Sequence, residues 1–390
     1  MIPYSRQSID KQDIKKIVNV LKGKFVTSGP KIDEFENKIK NFTQSKYAVA
    51  VNSATSALHI SCLALGLKKK DYLWTSPISF VASANCALYC GAKVDFVDID
   101  LKTYNISVVE LEKKLIKAKK QKKLPKIIVV VNFAGQACQL DKIKSLSKKY
   151  KFKILEDSSH ALGASYKNQI LGNCYYSDVT VFSFHPVKII TTLEGGMAVT
   201  NNAKIANKLN MLRNHGITRK KNFLKKNKNK KWYYEQQLLG YNYRMNDVQA
   251  ALGTSQLKKI EFFYKKRLFV KNFYDKNLKR LPLEIPYINK TIKSSLHLYV
   301  VLLSKKFSKN KRDELINFLR RKEIETNIHY IPIYSQPYYE NLGFKKKNFP
   351  NAENYYKRAI SLPIHPKLNQ KNLKYIVRQI EIFFTKKSKI

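Results

Sequence analysis

The chain has 390 residues, 44% of them hydrophobic, enough for one large domain and a smaller one, each with its own core. Its 74 Lys and Arg against 28 Asp and Glu give a formal net charge of +46. These cations run through the whole length among Asn, Ile and Tyr with no nucleic-acid motif, which argues against a nucleic-acid binder and for a positive field that recruits anionic substrates.

No apolar run reaches the roughly 18 residues of a membrane span, and the start, Met1 to Gln7, lacks the apolar stretch of an export signal; a cytoplasmic protein without a membrane partner is expected. Cys62, Cys86, Cys90, Cys138 and Cys174 are odd in number and unpaired in spacing, so free thiols are expected rather than disulfides or zinc. The seven histidines form no metal-binding pattern, and no metal is assigned.

Helical spacing over residues 8–21 ends at Gly23 and the Thr27-Ser28-Gly29-Pro30 cluster. A second helix, over 32–42, leads to the short apolar run 47–51. Asn52-Ser53-Ala54-Thr55-Ser56 then reads as a helix start, whose free amides and dipole form an anion site; an ordinary N-cap has the same residues. Strand-like runs at 73–75, 93–97, 126–131, 153–155, 179–184 and 196–199 alternate with helical patterns at 80–89, 108–117 and 140–149. That alternation predicts a mostly parallel sheet flanked by helices, with ligand at the carboxyl ends of the strands. The basic, Asn-rich stretch 219–231 reads as a mobile surface loop. Beyond Gly253, a helix over 256–275, strands at 296–302 and 326–331, and helices at 312–321 and 370–384 predict a compact α+β unit. The expected division is a large domain over 1–253 and a small one over 254–390.

Two residues carry the chemistry. Lys188 lies in Val181-Phe182-Ser183-Phe184-His185-Pro186-Val187-Lys188-Ile189-Ile190, among apolar and small neighbours. Loss of solvation weakens the ammonium form, so such an amine can condense with an aldehyde. Asp157 ends the apolar run Ile154-Leu155-Glu156-Asp157. Pyridoxal 5'-phosphate requires both groups, an amine for its aldehyde and a carboxylate for its ring nitrogen.

Asn52-Ser53-Ala54-Thr55-Ser56-Ala57-Leu58-His59, Asp157-Ser158-Ser159-His160-Ala161-Leu162-Gly163, Ser183-Phe184-His185-Pro186-Val187-Lys188 and Gly240-Tyr241-Asn242-Tyr243-Arg244-Met245, in this order, resemble the DegT/DnrJ/EryC1/StrS family of pyridoxal-phosphate sugar aminotransferases. The resemblance covers nearly the whole chain. It implies a fold-type-I α/β enzyme, a large mostly parallel sheet domain with a smaller C-terminal α+β domain. The form Ser-Phe-His-x-x-Lys-x-Ile-Thr-Thr-x-Glu-Gly-Gly is similar to the branch that aminates C4 of nucleotide-linked keto sugars. Tyr4-Ser5, Ser76-Pro77-Ile78-Ser79-Phe80 and Ile328-His329-Tyr330-Ile331-Pro332 are similar to the members serving pseudaminic acid biosynthesis, except that Ile331 stands where those commonly carry lysine.

From the resemblance, Lys188 is expected to hold the cofactor aldehyde and move protons, and Asp157 to pair with the ring nitrogen. Ala54, Thr55 and Ser183 would bind the phosphate, Phe80 would stack on the ring and His160 would lie against it. Asn242 would reach the phosphate of a second subunit, in a homodimer with shared sites. Tyr4, Lys24, Phe25, Val26, Thr27, Asn327, Ile328, His329 and Tyr330 would contact substrate, expected to be a UDP-4-keto sugar with glutamate as donor. By their residue types alone, Phe80 also suits a core aromatic, His160 a buried histidine bonded to backbone, and Asn242 a turn. Two other activities fit less of the pattern: C4 amination of another dTDP- or UDP-linked keto sugar, and a basic binding protein without catalysis.

Overall fold

The structure, a computed structural model, describes residues 1–307 and 309–385; Ser308 and 386–390, which fall in the expected second domain, lie outside the described residues. Seven strands form the central sheet: β1 (Tyr47–Val51), β2 (Tyr72–Thr75), β3 (Lys93–Phe96), β4 (Ile127–Val131), β5 (Lys153–Asp157), β6 (Val179–Ser183) and β7 (Gly196–Thr200). Their order is β1-β7-β6-β5-β4-β2-β3. From β6 through β3 every pairing is parallel, whereas β7 runs antiparallel to both its neighbours.

The Ile-Ile-Val-Val-Val run of β4 is buried along its whole length because both faces of the sheet are covered. Ile127, Val129 and Val131 face one core with α3 (Ala54–Ala64) and α4 (Ala82–Tyr89). Ile128 and Val130, pointing the other way, meet α5 (Val108–Lys120) and α6 (Leu140–Tyr150).

The predicted helix over 256–275 is two helices, α7 (Asp247–Leu257) and α8 (Ile260–Leu278), separated at Lys258 and Lys259. Residue 253 therefore lies inside α7. A second, antiparallel sheet follows, β8 (Leu283–Glu284), β9 (Tyr299–Leu303) and β10 (Ala359–Leu362), in that order. Along β9 the alternation assigns two roles: Tyr299, Val301 and Leu303 join a C-terminal core with α9 (Lys309–Arg321) and α10 (Gln370–Thr385), while Val300 and Leu302 pack into the core beneath the large sheet. One continuous apolar seam thus joins the two parts.

The expected strand at 326–331 does not form. The segment makes a single bridge, Asn327 to Ser361. Asn327 Oδ1 accepts the amide of Ile328 at 2.7 Å, a local bond that competes with a ladder, and Pro332 has no amide to donate. The strand that completes the sheet is β10, a four-residue run. The stretch 219–231 is exposed except at the buried Leu224 and irregular apart from a 3-10 turn, beside a short antiparallel pairing of Ile217–Thr218 with Glu235–Gln236. No helix among the described residues is long and apolar enough to cross a membrane, and no cluster of three or more His, Cys, Asp or Glu could hold a metal.

Candidate active site

The carboxyl ends of the parallel strands open on a cavity of about 530 Å³, in the size range of small-molecule sites. Asp157 enters it from the last position of β5. Its carboxylate is held at both oxygens: Ser83 Oγ donates to Oδ2 at 2.7 Å, while Ser159 donates its hydroxyl and its amide to Oδ1 at 2.6 and 3.1 Å. Glu156, one position earlier, points to the other face, where Asn132 and Ser158 donate to it at 2.9 Å and burial raises its pKa. Strand alternation thus separates a carboxylate at the cavity from one in the core.

Lys188 lines the same cavity from the turn after β6, where its amide bonds to the carbonyl of His185 at 2.9 Å. Burial pulls its pKa down to about 8, with Asp157 acting in the opposite direction. About a tenth of the amine is therefore uncharged at pH 7, far more than for an ordinary lysine.

The amino end of α3 forms another wall. Ser53 caps the helix by accepting from the Ser56 amide, and the amides of Ala54 and Thr55 are among those a helix leaves without an internal acceptor. Gly196, at the start of β7, makes this approach possible: a Cβ there would lie 2.5 Å from the Ser53 carbonyl and 2.6 Å from the Ala54 nitrogen. The Ser183 hydroxyl faces the cavity beside them.

Phe80 is 58% exposed and lies 6.3 Å from Tyr330 across the opening, which excludes the core-aromatic reading. His160 is buried. Its Nδ1 accepts the Ala134 amide at 3.3 Å, which leaves the proton on Nε2 to donate to Tyr330 Oη at 3.0 Å. Burial first, then Lys188 and His329, hold His160 well below the usual histidine pKa. His329 is pushed down to about 3 by burial and Lys188.

The N-terminal segment and the C-terminal unit close the cavity together. Ile2 pairs with Ile324, and the Tyr4 carbonyl accepts the Ile364 amide at 3.1 Å. The ring of Tyr4 then lies 5.6 Å from that of His329, whose Nδ1 is 2.8 Å from Ser361 Oγ. Asn327 and Ile328 line the same edge.

Twelve of the expected site residues therefore share one cavity: Tyr4, Ala54, Thr55, Phe80, Asp157, His160, Ser183, Lys188, Asn327, Ile328, His329 and Tyr330. Lys24, Phe25, Val26, Thr27 and Asn242 do not line it; they are exposed elsewhere. Asn242 is in an extended strip rather than a turn, bridged to Asn214, and Thr27 is bridged to Asn246 on the continuation of that strip. Ser83 and His297 escaped the sequence reading. His297 lies 4.4 Å from the His160 ring, and the guanidinium of Arg267 bonds to its carbonyl at 3.1 Å.

The profile of the DegT/DnrJ/EryC1/StrS aminotransferase family matches residues 7–381. The UDP-4-amino-4,6-dideoxy-N-acetyl-beta-L-altrosamine transaminase of Campylobacter jejuni is 41% identical over 377 residues, 96% of each chain. Among solved structures, Helicobacter pylori PseC, an aminotransferase involved in the biosynthesis of pseudoaminic acid, superposes with a TM-score of 0.89 at 34% identity over 99% of both chains. The PLP form of a putative sugar aminotransferase from Streptococcus pneumoniae gives 0.89 at 29% identity, again over 99% of both. With its seven-stranded sheet and this site, the chain belongs to the DegT/DnrJ/EryC1/StrS aminotransferase family and has the fold-type-I architecture.

Proposed function

We propose that this aminotransferase uses pyridoxal 5'-phosphate to aminate C4 of UDP-2-acetamido-2,6-dideoxy-β-L-arabino-hexos-4-ulose, with glutamate as donor. The product would be UDP-4-amino-4,6-dideoxy-N-acetyl-β-L-altrosamine, made in the cytoplasm for pseudaminic acid biosynthesis. The observation that carries the reading is the convergence of Lys188, Asp157 and the amino end of α3 on one cavity. The relatives in Campylobacter and Helicobacter support the choice of sugar.

The residues fit this cofactor: an amine with a lowered pKa, a fixed carboxylate, free helix amides and an exposed aromatic face. When bound, the cofactor supplies an electron sink for the carbon whose C–N bond is made or broken. Lys188 would hold the cofactor through its aldehyde and would move a proton between the donor Cα and the cofactor C4′. Asp157 keeps the ring nitrogen protonated, because a facing carboxylate favours its charged form. Ala54, Thr55 and Ser183 take the phosphate, Phe80 covers the ring, and neutral His160 packs against it. Tyr4, Asn327, Ile328, His329 and Tyr330 orient the sugar nucleotide. Asn242 and the 24–27 segment, outside their own chain's cavity, serve the neighbouring site in a homodimer.

The test is to supply the purified enzyme with this 4-keto sugar and glutamate and identify the product by mass spectrometry and NMR. The altrosamine configuration with stoichiometric 2-oxoglutarate is expected. Amination of a different dTDP- or UDP-linked keto sugar in its place would overturn the substrate; absence of any cofactor absorbance would overturn the mechanism.

A further inference from the structure

His59 lies in the second turn of α3, buried, and does not line the active-site cavity. Its ring is enclosed by three tyrosines: Tyr89 at the end of α4, and Tyr241 and Tyr243 of the extended strip, at centroid distances of 5.4, 4.7 and 6.0 Å. Its Nδ1 is 3.2 Å from the Tyr243 hydroxyl, while its Nε2 is buried without a hydrogen bond. An apolar ring would fill this space and leave no buried nitrogen unpaired, so packing alone does not account for a histidine. What the histidine adds is the bond to Tyr243.

Tyr241 and Tyr243 are stacked, their rings 4.9 Å apart and 14° from parallel. Side chains two apart in an extended strip share a face, so both tyrosines turn inward onto His59, and Asn242 between them turns outward, where it is exposed. The backbone of the strip is held as well. The amides of Tyr241 and Tyr243 donate to the carbonyls of Leu212 and Arg213 at 2.7 and 3.0 Å, and the Tyr243 carbonyl accepts the amide of Asn52 at 2.9 Å. Asn52 immediately precedes the Ser53 cap of α3, and its side chain accepts the Ser56 hydroxyl at 2.7 Å. One helix therefore gives its amino end to its own cavity and, from its second turn, braces the strip that turns Asn242 away from it.

We propose that His59 is a positioning residue for the neighbouring active site: through Tyr243 it sets the direction in which Asn242 leaves its own chain. This rests on the reading that Asn242 serves the cofactor phosphate across a homodimer. A short side chain on an exposed strip binds best when the strip is already ordered, because ordering it on binding costs affinity. Loss of the Tyr243 bond therefore weakens the cofactor held by the partner subunit and spares the cofactor held by the same chain.

Hybrid dimers of full-length chains, purified through two different tags, separate these effects. A Lys188→Ala chain paired with an Asn242→Ala chain contains one intact site, built from Lys188 of the second and Asn242 of the first. Cofactor fixed on Lys188 by borohydride, counted by mass spectrometry across a pyridoxal phosphate titration, reports that site alone. His59→Phe on the Lys188→Ala chain should raise the half-saturating concentration roughly fivefold, the worth of one hydrogen bond, whereas on the Asn242→Ala chain it should change it less than about twofold. Tyr243→Phe, which leaves α3 untouched, should reproduce this asymmetry. His59→Asn, which keeps a polar group at the place of Nδ1, should restore the parent value. Equal effects from both placements, a larger effect on the Asn242→Ala chain, or none from either would overturn the positioning role. A parent hybrid that holds cofactor no more tightly than the Asn242→Ala homodimer would instead remove the shared site itself, and the positioning role with it.

Discussion

Ser83 holds Asp157 from across the sheet: its hydroxyl, in the first turn of α4, donates to Asp157 Oδ2 at 2.7 Å and is itself within 2.7 Å of the Ser79 hydroxyl. A hydrogen bond to a charged acceptor contributes about 1.5–3 kcal/mol, so Ser83→Ala is expected to lower kcat by roughly 10- to 100-fold through weaker retention of the ring-nitrogen proton. KM for the sugar nucleotide should change little, and Ser83→Thr should restore most of the rate. Asp157→Asn should slow the donor half-reaction further while leaving cofactor affinity closer to wild type, because the amide fills the same space without the charge. Single-turnover absorbance and cofactor titration separate the two effects.

For Lys188, borohydride reduction of the cofactor-loaded enzyme followed by peptide mapping should place the adduct on this residue and no other. Lys188→Ala should melt near the wild-type temperature and lose at least about three orders of magnitude in transamination. Condensation of the apoprotein with a simple aldehyde should rise with pH through about 8, where the Lys188 ammonium gives up its proton. A midpoint near an ordinary lysine value would remove the desolvation argument.

Shared sites have a signature in mixed dimers. Neither Lys188→Ala nor Asn242→Ala homodimers should be active, but exchange of subunits gives hybrids with one doubly defective site and one intact site. Random pairing of equal amounts restores about a quarter of wild-type activity. Mixtures that stay inactive after exchange is confirmed by native mass spectrometry would place Asn242 outside the neighbouring site.

Buried histidines make the fold acid-sensitive, among them His365, pushed down to about 4 chiefly by burial. His160 and His297 are held well below the usual histidine pKa, chiefly by burial, and His329 is pushed down to about 3. In the unfolded chain each takes up a proton near pH ~6.5. Between these limits the unfolded state binds more protons, so stability is fully present above about pH 6.5 and declines as pH falls towards 3. Each histidine contributes up to about 1.4 kcal/mol per pH unit. Urea midpoints of the apoprotein across pH 4–7 should therefore fall with acid, and His329→Asn should flatten the slope by roughly one proton's worth. An unchanged slope would mean that His329 titrates normally.

The parts of the site legible in the sequence are those whose chemistry is local. Asp157 ends an apolar strand and Lys188 follows another, so chain order alone put both at the carboxyl edge of the sheet. Residues defined by a partner far away in sequence were hidden: Ser83 is distinguished only by an acceptor 74 positions later, and His297 by a ring brought to it by Arg267 and the second sheet. The 326–331 segment misled because its alternation resembles a strand, yet Asn327 bonds to its own following amide and the chain passes over the cavity mouth.

The antiparallel strand β7 imposes an order on assembly. β1, formed from residues 47–51, has no neighbour in the sheet except β7, and the amino end of α3 is backed by Gly196 at the start of that strand. A nascent chain that has emerged only as far as β6 thus carries β1 as a strand without a mate and an anion cradle without its floor. Closing that loop of about 150 residues is a long-range event, slower than the local helix and strand pairings on either side of it. Ligand-binding competence is consequently a late acquisition during synthesis, and β1 is the element whose backbone waits longest for its hydrogen bonds.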